Sequence, residues 1–127
     1  MTKIDDPNEV QFRQVNPSWM QDDAPSRQAF DPTRKDEGKL SLDRSASTTA
    51  QQAYSNFTAL GLRSDAVFGI TPGECVDEPN SIECHESPLK NNPHHSHADF
   101  NGLSKGERKK KSLELRRYAM GRGKLYP

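Results

Sequence analysis

Apolar and polar residues alternate along residues 10–15, with Val10 and Phe12 on one side and Gln11 and Arg13 on the other. A period of two predicts a short strand. Pro17 in "NPSW" ends it, because proline donates no hydrogen bond to a ladder. Trp19, the single tryptophan, is expected to anchor the core through the area it buries. "DDAPSRQAF" reads as a loop. "AFDPTRKDEGKLSLDR" reads as two extended pieces around a polar turn. Phe30 leads into Asp31-Pro32, Glu37-Gly38 supplies the turn, and Leu40 and Leu42 alternate with Ser41 and Asp43.

The period then changes. Ala50, Ala53, Tyr54, Phe57 and Leu60 follow helical spacing after a cap at Ser47 or Thr48, and Gly61 ends the run. Its apolar face should pack on the sheet. "DAVFGI" predicts a buried strand. "TPGEC" supplies a cap (Thr71), a proline at the first helical position and an early Glu74, so a short helix is expected there. Residues 77–93 are rich in proline and turn formers and read as a loop, crossed by a brief strand near 81–84. "HHSHADF" predicts a last strand.

"SKGE" at residues 104–107 has the form of a capping box. It predicts a helix from Lys105 to about Met120, stopped by Gly121 or Gly123. Leu115, Tyr118 and Ala119 lie on one side of it, Leu113 and Met120 nearly opposite. The front half, "KGERKKK", is charged all round, so packing is expected from the rear half. No internal repeat is present, and no low-complexity tract beyond the lysine run. These elements predict an α+β domain over residues 10–127 after a frayed, polar residue 1–9 segment. It should hold four or five short strands, one packed helix and a basic C-terminal helix, with substantial irregular chain.

Composition thins this picture. Hydrophobic residues are 31% of the chain, and Leu, Ile, Val and Phe together are 21 of 127. That predicts one small core. The charges balance overall, 18 basic against 18 acidic, but they are segregated. Residues 1–102 carry a net charge of −7 and residues 103–127 a net charge of +7. The basic end therefore either meets an acidic partner or folds back on the acidic body. No run of 18 apolar residues occurs, and "MTKIDDPNEV" has no apolar h-region. A cytoplasmic protein is expected, with Cys75 and Cys84 as free thiols.

Candidate chemistry gathers at residues 94–100. On a strand, His95, His97 and Asp99 would project together. Two imidazoles and a carboxylate suit zinc or non-haem iron, with His85 or Cys84 as a further ligand. The same three residues could serve catalysis without a metal, or be structural or solvated. No C-x-x-C, H-E-x-x-H, P-loop, G-x-S-x-G or G-x-G-x-x-G motif is present, so no cofactor is named. Cys75, near a helix start, is a weaker candidate nucleophile. In the basic helix, Lys105, Arg108, Lys109, Lys110, Lys111, Arg116 and Arg117 could each neutralise a phosphate, with Arg122 and Lys124 extending the patch. The free N–H groups at that helix start also favour an anion, unless Glu107 satisfies them. The leading expectation is a small cytoplasmic interaction module whose basic helix contacts an acidic partner, nucleic acid before an acidic protein surface. The rivals are an enzyme using His95, His97 and Asp99 on a phosphate-containing substrate, and a protein-binding inhibitor or adaptor.

Overall fold

The computed structural model describes residues 2–127. It is an α+β fold. The strands are β1 (Gln11–Val15), β2 (Met20–Gln21), β3 (Ala24–Pro25), β4 (Lys39–Arg44), β5 (Ala66–Ile70), β6 (Glu83–Glu86) and β7 (His95–Asp99). The α-helices are α1 (Ala50–Ala59), α2 (Pro72–Val76) and α3 (Lys105–Arg122). Five strands form one antiparallel sheet in the order β5-β1-β4-β7-β6. β2 and β3 form a separate hairpin, turned by Asp22 and Asp23 at positive φ.

Alternation along the strands sorts the sheet into two unlike faces. One face presents Val15, Leu40, Leu42, Phe68, Ile70, Cys84 and Ala98. These join Leu115 and Ala119 of α3 and Phe30 in the main core. The other face is split. Its β1 and β5 half is apolar: Phe12 and Val67 pack against Ala53 of α1, with Tyr54, Leu125 and Tyr126 at the margin. Gly69 lies on this half, where an added Cβ would come within 2.6 Å of Val10 Cγ1 and 2.9 Å of Leu125 Cδ1. Its β4, β7 and β6 half carries the polar residues described below.

Both sheet edges are covered by chain ends, which removes the hazard of open strands. Leu125 donates to Val67 O at 2.8 Å, and Val67 donates to Tyr126 O at 2.7 Å. At the far edge Ile4 donates to Cys84 O at 3.0 Å, and Glu86 donates to Thr2 O at 2.8 Å. The segment that composition marks as frayed thus lies along β6, and Ile4, its one strongly apolar described residue, is buried in the core.

Several local expectations change. Residues 27–30, expected as loop running into an extended piece, and residues 34–36, expected within that piece, are 3₁₀ turns. The first drives Ala29 and Phe30 into the core. The second is held by a capping box between Thr33 and Asp36. Glu37 and Gly38 then turn the chain with positive φ into β4, as expected of that pair. Helix α1 is capped by Thr49, whose hydroxyl accepts from Gln52 N. Of its apolar face only Ala53 is fully buried; Tyr54 and Phe57 are half-buried, and Leu60 is exposed. Trp19 is not a core anchor either. It lies at the core margin, with the Arg13 guanidinium 5.2 Å from its ring centroid.

Arg13 explains that margin. β1 and β4 pair only at Gln11↔Arg44 and Phe12↔Asp43, and then part. The Arg13 side chain enters the gap, its Nε donating to Ala29 O at 2.7 Å and its Nη1 to Ser41 O at 3.0 Å. Burial pulls its pKa down to about 10, with Asp36 opposing. Carbonyls and the indole ring, with no carboxylate in contact, hold this cation.

Candidate functional site

The histidines lie on β7, paired between β4 and β6. Ser96 and Ala98 face the core, so His95, His97 and Asp99 share the opposite face, as strand alternation requires. Ser41 and His85 flank His97, Asp43 lies beside His95, and Lys39 and Glu83 flank Asp99. The sequence cluster is therefore one column of a wider polar panel.

Ser87, just beyond β6, holds two of the three residues. Its Oγ lies 2.9 Å from His95 Nδ1 and 2.9 Å from His97 Nδ1. Its carbonyl lies 2.9 Å from His95 Nδ1. A carbonyl only accepts, so His95 carries its proton on Nδ1. The Ser87 hydroxyl then donates to His97 Nδ1. A neutral His97 suits that role. Burial lowers its pKa first, and His85 and Lys39 add to the effect; Asp99 opposes weakly. The His85 ring stands 5.5 Å away, centroid to centroid.

Asp99 works elsewhere. Its Oδ1 accepts from Asn101 N and Asn101 Nδ2, both at 2.9 Å. Burial pushes its pKa up, but the Asn101 bonds outweigh that and leave it below the usual carboxylate range. It makes no hydrogen bond to either imidazole, and His97 shifts downward, opposite to the rise a carboxylate partner would cause. Cys84 points into the core while His85 points the other way, so they cannot complete one ligand set. Among the described residues, no three His, Cys, Asp or Glu side chains group as a metal site would need. His97 is 3% exposed, which limits its reach to substrate.

Cys75 is buried inside α2, with Sγ 3.4 Å from Cys84 Sγ. That contact and burial raise its pKa well above the usual thiol range, so it is a poor nucleophile. The start of α3 is closed as well. Ser104 N donates to Glu107 Oε1 at 2.8 Å, and Glu107 N donates to Ser104 Oγ at 3.3 Å. A carboxylate already occupies the place where an anion would bind.

The basic helix divides into two faces. Lys111 is fully buried, and its Nζ donates to Glu74 O and Asp77 O, both at 3.1 Å, and to Glu114 Oε1 at 3.2 Å. Arg116 Nε donates to Pro25 O at 2.6 Å. Arg122 pairs with Glu74 at 2.7 Å and donates to Gly69 O at 2.8 Å. Arg108 Nε reaches Leu103 O at 3.4 Å. The front half of α3 is therefore packed on one side, and Lys111 and Arg116 are tied to the body. Lys105, Lys109, Lys110 and Arg117 are exposed and form no ion pair among the described residues, as is also true of Lys124.

Comparison with protein-family models, curated proteins and solved structures finds no match.

No helix among the described residues is long and apolar enough to cross a membrane. The sequence gives no sign of Ser87, because a lone serine before a proline looks ordinary until the fold places it. Lys111 stands there among the candidate phosphate contacts, whereas the structure buries it.

Proposed function

We propose that this protein is an interaction module that contacts an acidic partner, nucleic acid above all, through the outer face of α3. The observation that carries this reading is the sorting of cations on that helix. Those on the inner side are bonded to carbonyls and carboxylates of the body. Lys105, Lys109, Lys110 and Arg117 stand outward without such partners. They span about 18 Å of helix axis, the length of roughly five base-pair steps. A cytoplasmic setting belongs to the same reading, supported by two neighbouring cysteines that remain unpaired.

The enzyme reading has less support, because Asp99 is bonded away from the imidazoles and His97 is buried. A protein partner is favoured by one observation. Leu113 and Met120, seven residues apart on the outer face, are 48% and 39% exposed among the cations. An acidic surface with an apolar socket would suit them.

The test is binding to fluorescent DNA and RNA oligonucleotides across salt. Four phosphate contacts give a loss of about 100-fold between roughly 50 and 200 mM salt. Combined Lys109→Ala, Lys110→Ala and Arg117→Ala should weaken binding and flatten the slope. No binding at low salt would remove nucleic acid as the partner.

A further inference from the structure

The parting of β1 from β4 leaves a cleft of about 130 Å³ on the sheet face that α1 only half covers. Its walls include Phe12, Trp19 and Phe57; Gln14 and Asp43 line it from the strands, and Arg63 joins from the loop after α1. Gln14 is the unusual member. It is 7% exposed, and both Nε2 and Oε1 are buried without a hydrogen-bond partner among the described residues. Leaving both ends of a buried amide unpaired is costly, and native structures rarely do so without a reason. Swapping the two atoms would change nothing, since neither has a partner.

Three constraints define what would fit. The amide offers one donor and one acceptor side by side, so the ligand must answer with an acceptor and a donor. A simple carboxylate would leave Oε1 unpaired. The space is close to the ~150 Å³ that holds benzene, so one planar ring fits between the aromatic walls and a fused pair of rings does not. Asp43 is already bonded to Asn92 Nδ2 at 2.6 Å, and Arg13, which also lines the cleft, already donates to Ala29 O and Ser41 O, so neither calls for a charged group there. Arg63 is exposed and forms no ion pair among the described residues, so an anionic group belongs near it, outside.

We propose that this cleft binds a pyrimidine nucleotide, its ring edge on the Gln14 amide, its faces against Phe57 and Trp19, and its phosphate at Arg63. Uracil and cytosine each carry an adjacent donor and acceptor on a single ring. The site is separate from the outer face of α3, which packs on the opposite side of the sheet, and does not depend on it.

Trp19 is the only tryptophan and lines the cleft, so its fluorescence reports on occupancy. Titration of the full chain with UMP or CMP should give a saturable change. Uridine should bind about tenfold more weakly, having lost a charge-assisted bond. Gln14→Leu should weaken UMP by about tenfold or more while melting no lower than the parent, because an apolar group of similar shape replaces an unpaired amide. Arg63→Ala, at an exposed position, should bind UMP no better than uridine. Gln14→Leu should keep any salt-dependent oligonucleotide binding of α3, which separates this proposal from that one. A short oligouridine that displaces UMP identifies a single strand as the source of the nucleotide; failure to displace it points to the free mononucleotide. No saturable change with UMP or CMP up to roughly 5 mM would overturn the proposal. So would AMP binding as tightly as UMP, or unaltered UMP binding by Gln14→Leu.

Discussion

Lys111 closes a run of three lysines, yet the structure predicts that it acts as part of the core. Its ammonium group meets Glu74 O and Asp77 O at the C-terminal end of α2, where unpaired carbonyls and the helix dipole both favour a cation. Glu114 Oε1, one helical turn on, completes the set. Lys111→Ala removes all three donors and the stem that fills the space between α2 and α3. Hydrogen bonds to charged groups are each worth about 1.5–3 kcal/mol, and breaking a buried pair costs about 3–5 kcal/mol in all. A small domain holds only about 5–15 kcal/mol in total. The melting temperature should therefore fall by about 10–15 °C. Lys111→Met keeps the apolar stem and should lose less. Lys110→Ala, next door but exposed, should stay within about 0.5 kcal/mol of the parent. Thermal melts of the three variants, each paired with an oligonucleotide titration, give the measurement. A Lys111→Ala protein melting within a degree or two of the parent would refute the packing argument. A normal melt with binding lost would place Lys111 among the ligand contacts instead.

Other outcomes follow from burial and titration. Phe30→Ala, at a fully buried ring, should cost about 3–5 kcal/mol, whereas half-buried Phe57→Ala should cost about 1–2 kcal/mol; equal losses in urea melts would show that α1 packs more tightly than described. His97 has a lowered folded pKa, chiefly from burial, so its stabilisation is full above its unfolded value near pH 6.5 and is lost as pH falls through the folded value. Melting temperature should drop on that descent and drop less in His97→Gln. A proton-detected titration placing His97 above its unfolded pKa would contradict the assigned cause. Asp43, raised by burial, has the opposite sign: its contribution is present below its unfolded pKa and is lost as pH rises through the folded one. Cys75 and Cys84 should resist a thiol reagent in the native state and react on unfolding; fast native labelling would contradict their burial.

Where a pattern repeats locally, the sequence was a good guide. The alternation in residues 10–15 and 95–99, the spacing in α1, the cap at Thr71 and the capping box at Ser104 each depend on neighbours within one turn or one strand. They recur in the structure with shifts of a residue or two. Alternation even placed His95, His97 and Asp99 on one face. It could not show that Asp99 would be held by Asn101 or that Ser87 would join the imidazoles, because those choices depend on how β7 meets its neighbours. The 3₁₀ turns at residues 27–30 and 34–36 were hidden for a related reason. Phe30 before Asp31-Pro32 resembles an extended lead-in, and only the core decides that the ring turns inward.

Charge shows the same division between local and tertiary information. The excess of +7 at the C-terminal end left two readings open, an external acidic partner or a clamp on the acidic body. The structure supports the second for Lys111, Arg116 and Arg122, because carbonyls and carboxylates of the body take up their donors. Each lies on a turn of α3 that the sheet side claims through Leu115 and Ala119. Lys110 and Arg117 project to the opposite side, and Lys105 and Lys109 stand exposed in the first two turns, where the body does not reach them. One helix thus uses identical residue types for two purposes, and the apolar positions decide which lysine serves which. Lys111 lies one turn before Leu115 on the same side of the helix, so its inner position is legible in the sequence when the cations are read relative to Leu115 and Ala119 rather than as a run.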